Sequence, residues 1–183
     1  MFDKLSELME SKGYASFYSN PNNTESFAFG RVLAMTDGFL AIYMISPDGY
    51  YDGILAKRVA DIFRIEVGGQ YSKGMSILID DSKLPTMNAP VDTDNIPAYL
   101  LHMSKKERQV IAIELINSGI DDIVGIVEEI NDRCISVFQI DSYGHADGMG
   151  FCRLQDITQI AYMSQSEQRV LKLWEKNNTL KNE

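Results

Sequence analysis

Apolar residues fall along this chain in short runs broken by Gly, Asn and Asp, and the longest, Phe39 to Ile45, has seven residues. In the second half, Ile126-Val127 leads to a turn at Asn131-Asp132, followed by the run Cys134 to Ile140. Ser142-Tyr143-Gly144-His145 turns the chain back, Met149 to Leu154 returns it, and Ile157 to Tyr162 closes the set. β-Branched and aromatic residues between such turn signals predict strands. Other stretches have helical spacing. Phe2, Leu5, Leu8 and Met9 form one apolar stripe that ends at Gly13. Ser104-Lys105-Lys106-Glu107 and Ser164-Gln165-Ser166-Glu167 read as capping boxes, in which serine and glutamate satisfy free amides at a helix start. They predict helices running through Val110 to Ile116 and through Val170 to Trp174. Met75 to Ile79 suits helix or strand equally.

The pattern occurs twice. A shift of 95 residues aligns Gly30–Leu78 with Gly125–Leu173 without a gap, and thirteen of the forty-nine positions are identical. Chance gives about three at average residue usage. Gly30/Gly125, Gly49/Gly144, Asp52/Asp147, Gly53/Gly148, Arg58/Arg153 and Asp61/Asp156 are among the identities. Each copy therefore reads as a helix followed by a bent antiparallel meander, which must close or pair to avoid a raw edge. The expected fold is α+β, mainly β: two tandem units, each a helix plus a small antiparallel β-barrel, from an internal duplication. The first unit is placed at 1–79 and the second, with a C-terminal helix, at 104–183. Residues 80–103 carry Pro85, Pro90 and Pro97 with four aspartates and read as a linker or surface strap.

Composition narrows the function. Seventeen Lys and Arg against twenty-six Asp and Glu give a net charge of −9 over 183 residues. That balance disfavours non-specific nucleic-acid binding, which draws its affinity from phosphate neutralisation, and suits a basic protein partner. The charged N-terminus lacks the apolar core of a secretory signal, and no run approaches the ~18–20 residues of a membrane span. Two cysteines, Cys134 and Cys152, are too few for a disulfide scaffold. A soluble, reduced, cytoplasmic protein is expected.

The Gly-x-Val strand ending at an aspartate turn (Gly30 to Asp37, Gly125 to Asp132), followed by an apolar strand, resembles the Sm-like family of small barrels. So do the later segments Lys57-Arg58-Val59-Ala60-Asp61-Ile62 and Cys152-Arg153-Leu154-Gln155-Asp156-Ile157. The likeness covers about forty residues per copy and extends to SH3-like barrels in general. It implies RNA binding in ring assemblies, with Arg58 and Arg153 at the nucleotide pocket and Lys57 beside them. The chain departs from that family in its acidity, its fused duplication and the lack of an Asn after the turn aspartate.

The candidate chemistry is sparse. Asp52 and Asp147 precede glycines, as a turn or bulge requires, and could otherwise serve as paired carboxylates between the two barrels. Asp37 and Asp132 read as turn residues that bond nearby amides. Arg58 with Asp61 and Arg153 with Asp156 form local ion pairs or anion pockets. Tyr50 and Tyr51, beside Asp48 and Asp52, read as a loop for partner contact or as barrel-edge residues. His102 and His145 are not duplicated and have no metal-ligand spacing. Cys134 and Cys152 have no activating base beside them. Neither a phosphate loop nor a catalytic set is present, and no cofactor or metal is called for. The leading expectation is a non-enzymatic, acidic protein-binding module, such as an adaptor or an immunity-type inhibitor. The alternatives are an Sm-like RNA-binding protein, and a small-ligand-binding domain or hydrolase using the carboxylates. Unpaired strand edges leave homo-oligomerisation open.

Overall fold

The computed structural model describes residues 1–86 and 94–179. The chain divides into two compact units, Met1–Ile96 and Pro97–Glu183. Unit one contains helix α1 (Phe2–Ser11), strands β1 (Tyr14–Tyr18), β2 (Ala28–Met35), β3 (Phe39–Ile45), β4 (Tyr51–Arg58) and β5 (Arg64–Glu66), and helix α2 (Gln70–Leu78). Unit two follows with α3 (Ile96–Glu107), β6 (Ile111–Leu115), β7 (Ile123–Ile130), β8 (Cys134–Ile140), β9 (Ala146–Arg153), β10 (Ile157–Tyr162) and α4 (Gln165–Thr179).

The duplication is visible element by element. β2/β7, β3/β8 and β4/β9 begin and end 95 residues apart, α2 and α4 both start at the paired glutamines, and a single 3-10 turn follows each of β4 and β9. The irregularities repeat as well. β2–β3 shifts register between Val32 and Ala34, and β7–β8 between Val127 and Glu129. β3–β4 shifts between Tyr43 and Ile45, and β8–β9 between Phe138 and Ile140. The latter shifts sit opposite Gly53 and Gly148, whose φ values of 84° and 89° are open to glycine at little cost.

The strands form open antiparallel sheet, and this overturns the expectation of two small closed barrels. The order is β5-β1-β2-β3-β4 in unit one and β10-β6-β7-β8-β9 in unit two, so the strands that would have to meet to close each barrel lie at opposite ends. Helices cover the sheet faces where closure would have buried them. Leu5 and Leu8 of α1 pack with Phe17, Val32, Leu40 and Ile42 on one face of unit one. On the other, Met75 of α2 packs with Phe29, Tyr43 and Ile45. In unit two, Val170 and Trp174 of α4 pack with Val110, Ile126, Phe138 and Ile140.

The helix expected from Ser104 onward is also corrected. It runs from Ile96 to Glu107, and Ile111–Leu115 is strand. Ser104 lies in the last turn of α3. Its hydroxyl donates to the Gln109 carbonyl at 2.7 Å and accepts from the Val127 amide at 3.3 Å. A serine–glutamate spacing at the end of a helix thus looks like a helix start in sequence. The second box is real, since the Ser164 amide donates to the Glu167 carboxylate at 2.8 Å just before α4. In the 80–103 stretch, residues 87–93 lie outside the described residues. Residues before them are held to unit one by Tyr14 and Tyr43, whose hydroxyls donate to the Asp81 carboxylate (2.6 Å) and the Pro85 carbonyl (3.1 Å).

Candidate functional site

The two units differ where the C-terminal helix of each lies over the sheet. In unit one, Tyr71 of α2 makes edge contacts with Phe27 and Phe29, ring centroids 4.9 and 5.1 Å apart. Tyr14 stacks on Phe29 at 5.9 Å. This aromatic cluster leaves a crevice of about 240 Å³ near Ser72, Ser76 and Asp81. In unit two the residues 95 positions on from Phe27, Phe29 and Tyr71 are Asp122, Val124 and Ser166. All three line a cleft of about 470 Å³ between the sheet and α4.

The cleft is also acidic. Asp121, Asp122, Asp141, Asp147 and Glu167 line it, with Arg169 as the cation. The matching positions in unit one are Ser26, Phe27, Ser46, Asp52 and Ser72. Three of the carboxylates hold the walls in shape. Asp122 accepts from the Leu115 amide (2.7 Å) and the Ser118 hydroxyl (2.6 Å). Asp141 accepts from the amides of His145 (2.8 Å) and Tyr143 (2.9 Å), and these bonds keep its carboxyl below the usual range. Glu167 caps α4 and is buried. Asp121 behaves differently: desolvation in the cleft, then Glu114, then Asp122, raise its proton affinity. A cation entering the cleft would relieve that crowding. Among the described residues no group of three or more His, Cys, Asp or Glu side chains is placed to hold a metal ion.

The residues singled out in the sequence scatter over the two units. Asp147 reaches the cleft, whereas Asp52 is half-buried at the equivalent place in unit one. Lys57 is 2 % exposed within β4, and Arg58 ends the same strand half-buried. Arg153 is exposed and engaged by Asp156 through its Nε. Tyr50 stands in solvent at the β3–β4 turn, while Tyr51 packs its ring 4.7 Å from that of Tyr43. The turn bonds assigned to Asp37 and Asp132 belong to their predecessors. Thr36 Oγ1 accepts from the amides of Gly38 and Phe39, and Asn131 Oδ1 from those of Arg133 and Cys134. His102 is exposed on α3, and His145 lies 3.5 Å from Asp141.

Both cysteines are free, and burial followed by the proximity of Cys134 pushes the Cys152 thiol up to about 11. Burial and Glu107 push the Tyr162 hydroxyl up to about 12. Both groups hold their protons more tightly in the folded than in the unfolded chain. Their contribution to stability is therefore full below their ordinary values of 9.0 and 10.0 and is lost as pH rises through about 11 and 12. Thermal melts between pH 8 and 12 should show a progressive fall in Tm that Cys152→Ala reduces in the pH 9–11 part; a flat profile there contradicts the assignment.

The divergent cleft was invisible to a reading that treated the copies as equivalent. Part of its signal lay within the aligned region, as Tyr71 against Ser166, while Phe27 against Asp122 and Phe29 against Val124 lie just before that region at the same 95-residue shift. Comparison of the chain with family models, curated proteins and solved structures returned no match. No helix among the described residues is long and apolar enough to cross a membrane.

Proposed function

We propose that this chain is a non-enzymatic protein-binding module in which the cleft of the second unit receives a basic segment of the partner. One observation carries the reading: the aromatic residues that fill the helix–sheet groove in unit one are replaced in unit two by Asp122, Val124 and Ser166, and the space opened is rimmed with carboxylates. Two of these, Asp121 and Asp147, make no hydrogen bond among the described residues, so their charge is free to meet a Lys or Arg side chain. The net charge of −9 acts in the same direction at longer range. An inhibitor of a basic protein and an adaptor are both members of this class. RNA binding has weaker support, because Lys57 is buried and Arg153 is already engaged by Asp156.

A pull-down from cell lysate with the intact chain tests this, run with and without nuclease and at about 0.05 and 0.5 M salt, where the Debye length falls severalfold. A stoichiometric protein that survives nuclease and is released by salt is expected. Retained nucleic acid, with protein lost after nuclease, would favour the RNA reading instead.

A further inference from the structure

β9 is a raw sheet edge with apolar side chains. Among the described residues it hydrogen-bonds to β8 alone, and it ends the strand order. Met149 is 46 % and Phe151 75 % exposed, whereas Ile54 and Ala56, their equivalents in β4, are 3 % and 0 % exposed. The outward backbone groups can be assigned. Leu154 donates its amide to the Arg133 carbonyl on the β8 side, so by alternation the N–H and C=O groups of Arg153, Phe151 and Met149 point away from β8. Such an edge, with flanking side chains to match, is a template for another strand.

We propose that β9 pairs antiparallel with β9 of a second copy of this chain, about a twofold axis through Gly150. The sequence of the strand selects both the occupant and the register. Bonding requires the outward residues to face one another, which restricts the axis to positions 149, 150 or 151. An axis at Met149 sets Asp147 against Phe151, and one at Phe151 sets Arg153 against Met149. The axis at Gly150 sets Met149 against Phe151 twice and, past the bulge at Gly148, brings Asp147 of each copy near Arg153 of the other. The Arg153 guanidinium bonds Asp156 through Nε and keeps its two outer nitrogens for a second carboxylate. The edge is thus complementary to itself in apolar contact and in charge. Gly150 meets Gly150 at the centre, where no side chain obstructs the approach. A twofold pairing closes on itself and gives a dimer rather than a fibre.

β9 shares Asp147 with the rim of the cleft, so the readout is self-association alone, followed without any partner by sedimentation equilibrium of the full chain from micromolar to several hundred micromolar. The wild type is expected to be a reversible dimer. Phe151→Lys, at an exposed position, should raise the dimer Kd at least tenfold and melt as the wild type does at protein concentrations below the wild-type Kd, where association adds no stability. Asp147→Arg should also weaken the dimer, by placing arginines together, and Asp147→Arg combined with Arg153→Asp should recover affinity relative to that single variant. A wild type that stays monomeric throughout overturns the proposal. So does a dimer indifferent to Phe151→Lys, or a double variant no tighter than Asp147→Arg.

Discussion

Gly125→Ala and Gly30→Ala are expected to destabilise the protein by about 3 kcal/mol or more each, the upper range of overpacking effects. Each glycine lies where two strands cross closely just before a register shift. A Cβ built on Gly30 would sit 2.0 Å from the Tyr43 carbonyl oxygen, and one on Gly125 would sit 2.0 Å from that of Phe138. The obstructing atoms are backbone, so no rotamer change relieves the clash and the strand pair must separate. The identity at these two positions follows from the same contact made twice. Urea midpoints should fall sharply for both variants. Gly38→Ala is the control: nothing lies within 4 Å of its Cβ position, and it should shift stability by about 0.5 kcal/mol or less. Equal effects at the three sites would mean that close strand approach is not what fixes glycine at 30 and 125.

Tyr43→Ala is expected to cost about 3–5 kcal/mol, the usual loss for truncating a large buried aromatic. Its ring is fully buried, packs on Tyr51 at 4.7 Å, and lies 4.6 Å beneath the Arg31 guanidinium. Its hydroxyl also bonds the Pro85 carbonyl, tying the segment after α2 to the sheet. Tyr43→Phe removes that bond alone and should cost about 1 kcal/mol. The second copy already carries Phe138 at this position, where the ring packs on Trp174 at 5.1 Å. A Phe variant as unstable as the Ala variant would show that the hydroxyl tether, not ring burial, dominates.

Much of the secondary structure was legible because periodicity and turn chemistry are local. The meander strands are set by short apolar runs between turns with glycines at positive φ, and the two terminal helices by the Phe2–Met9 apolar stripe and the Ser164–Glu167 cap. The duplication was legible because identical backbone demands, such as those on Gly30 and Gly125, preserve identical residues. Closure was not legible. A bent five-strand run of this length is compatible with a barrel, and whether its end strands meet depends on helices such as α2 that cover the sheet instead. The segment from Ser104 to Leu115 misled for a related reason. Ile111, Ala112, Ile113 and Glu114 are all buried, so the strand lacks the alternation that would distinguish it from a helix. Unlike the equally buried run in β3, it also follows a serine–glutamate spacing that imitates a helix start. At the candidate site, Asp147 stood out through its repeat partner. Asp121, Asp122 and Glu167 did not, because their meaning lies in how they differ from Ser26, Phe27 and Ser72.

The cleft of the second unit is the centre of the functional account, and filling it is the most direct test. Val124→Phe combined with Ser166→Tyr restores two of the three aromatic residues that occupy the groove in unit one and leaves every carboxylate in place. Partner retention by this variant should be measured beside the wild type, with circular dichroism confirming the fold. The account predicts that the variant keeps its fold and loses the partner at least tenfold. Undiminished retention by a folded variant would contradict it and move the binding surface elsewhere on the chain.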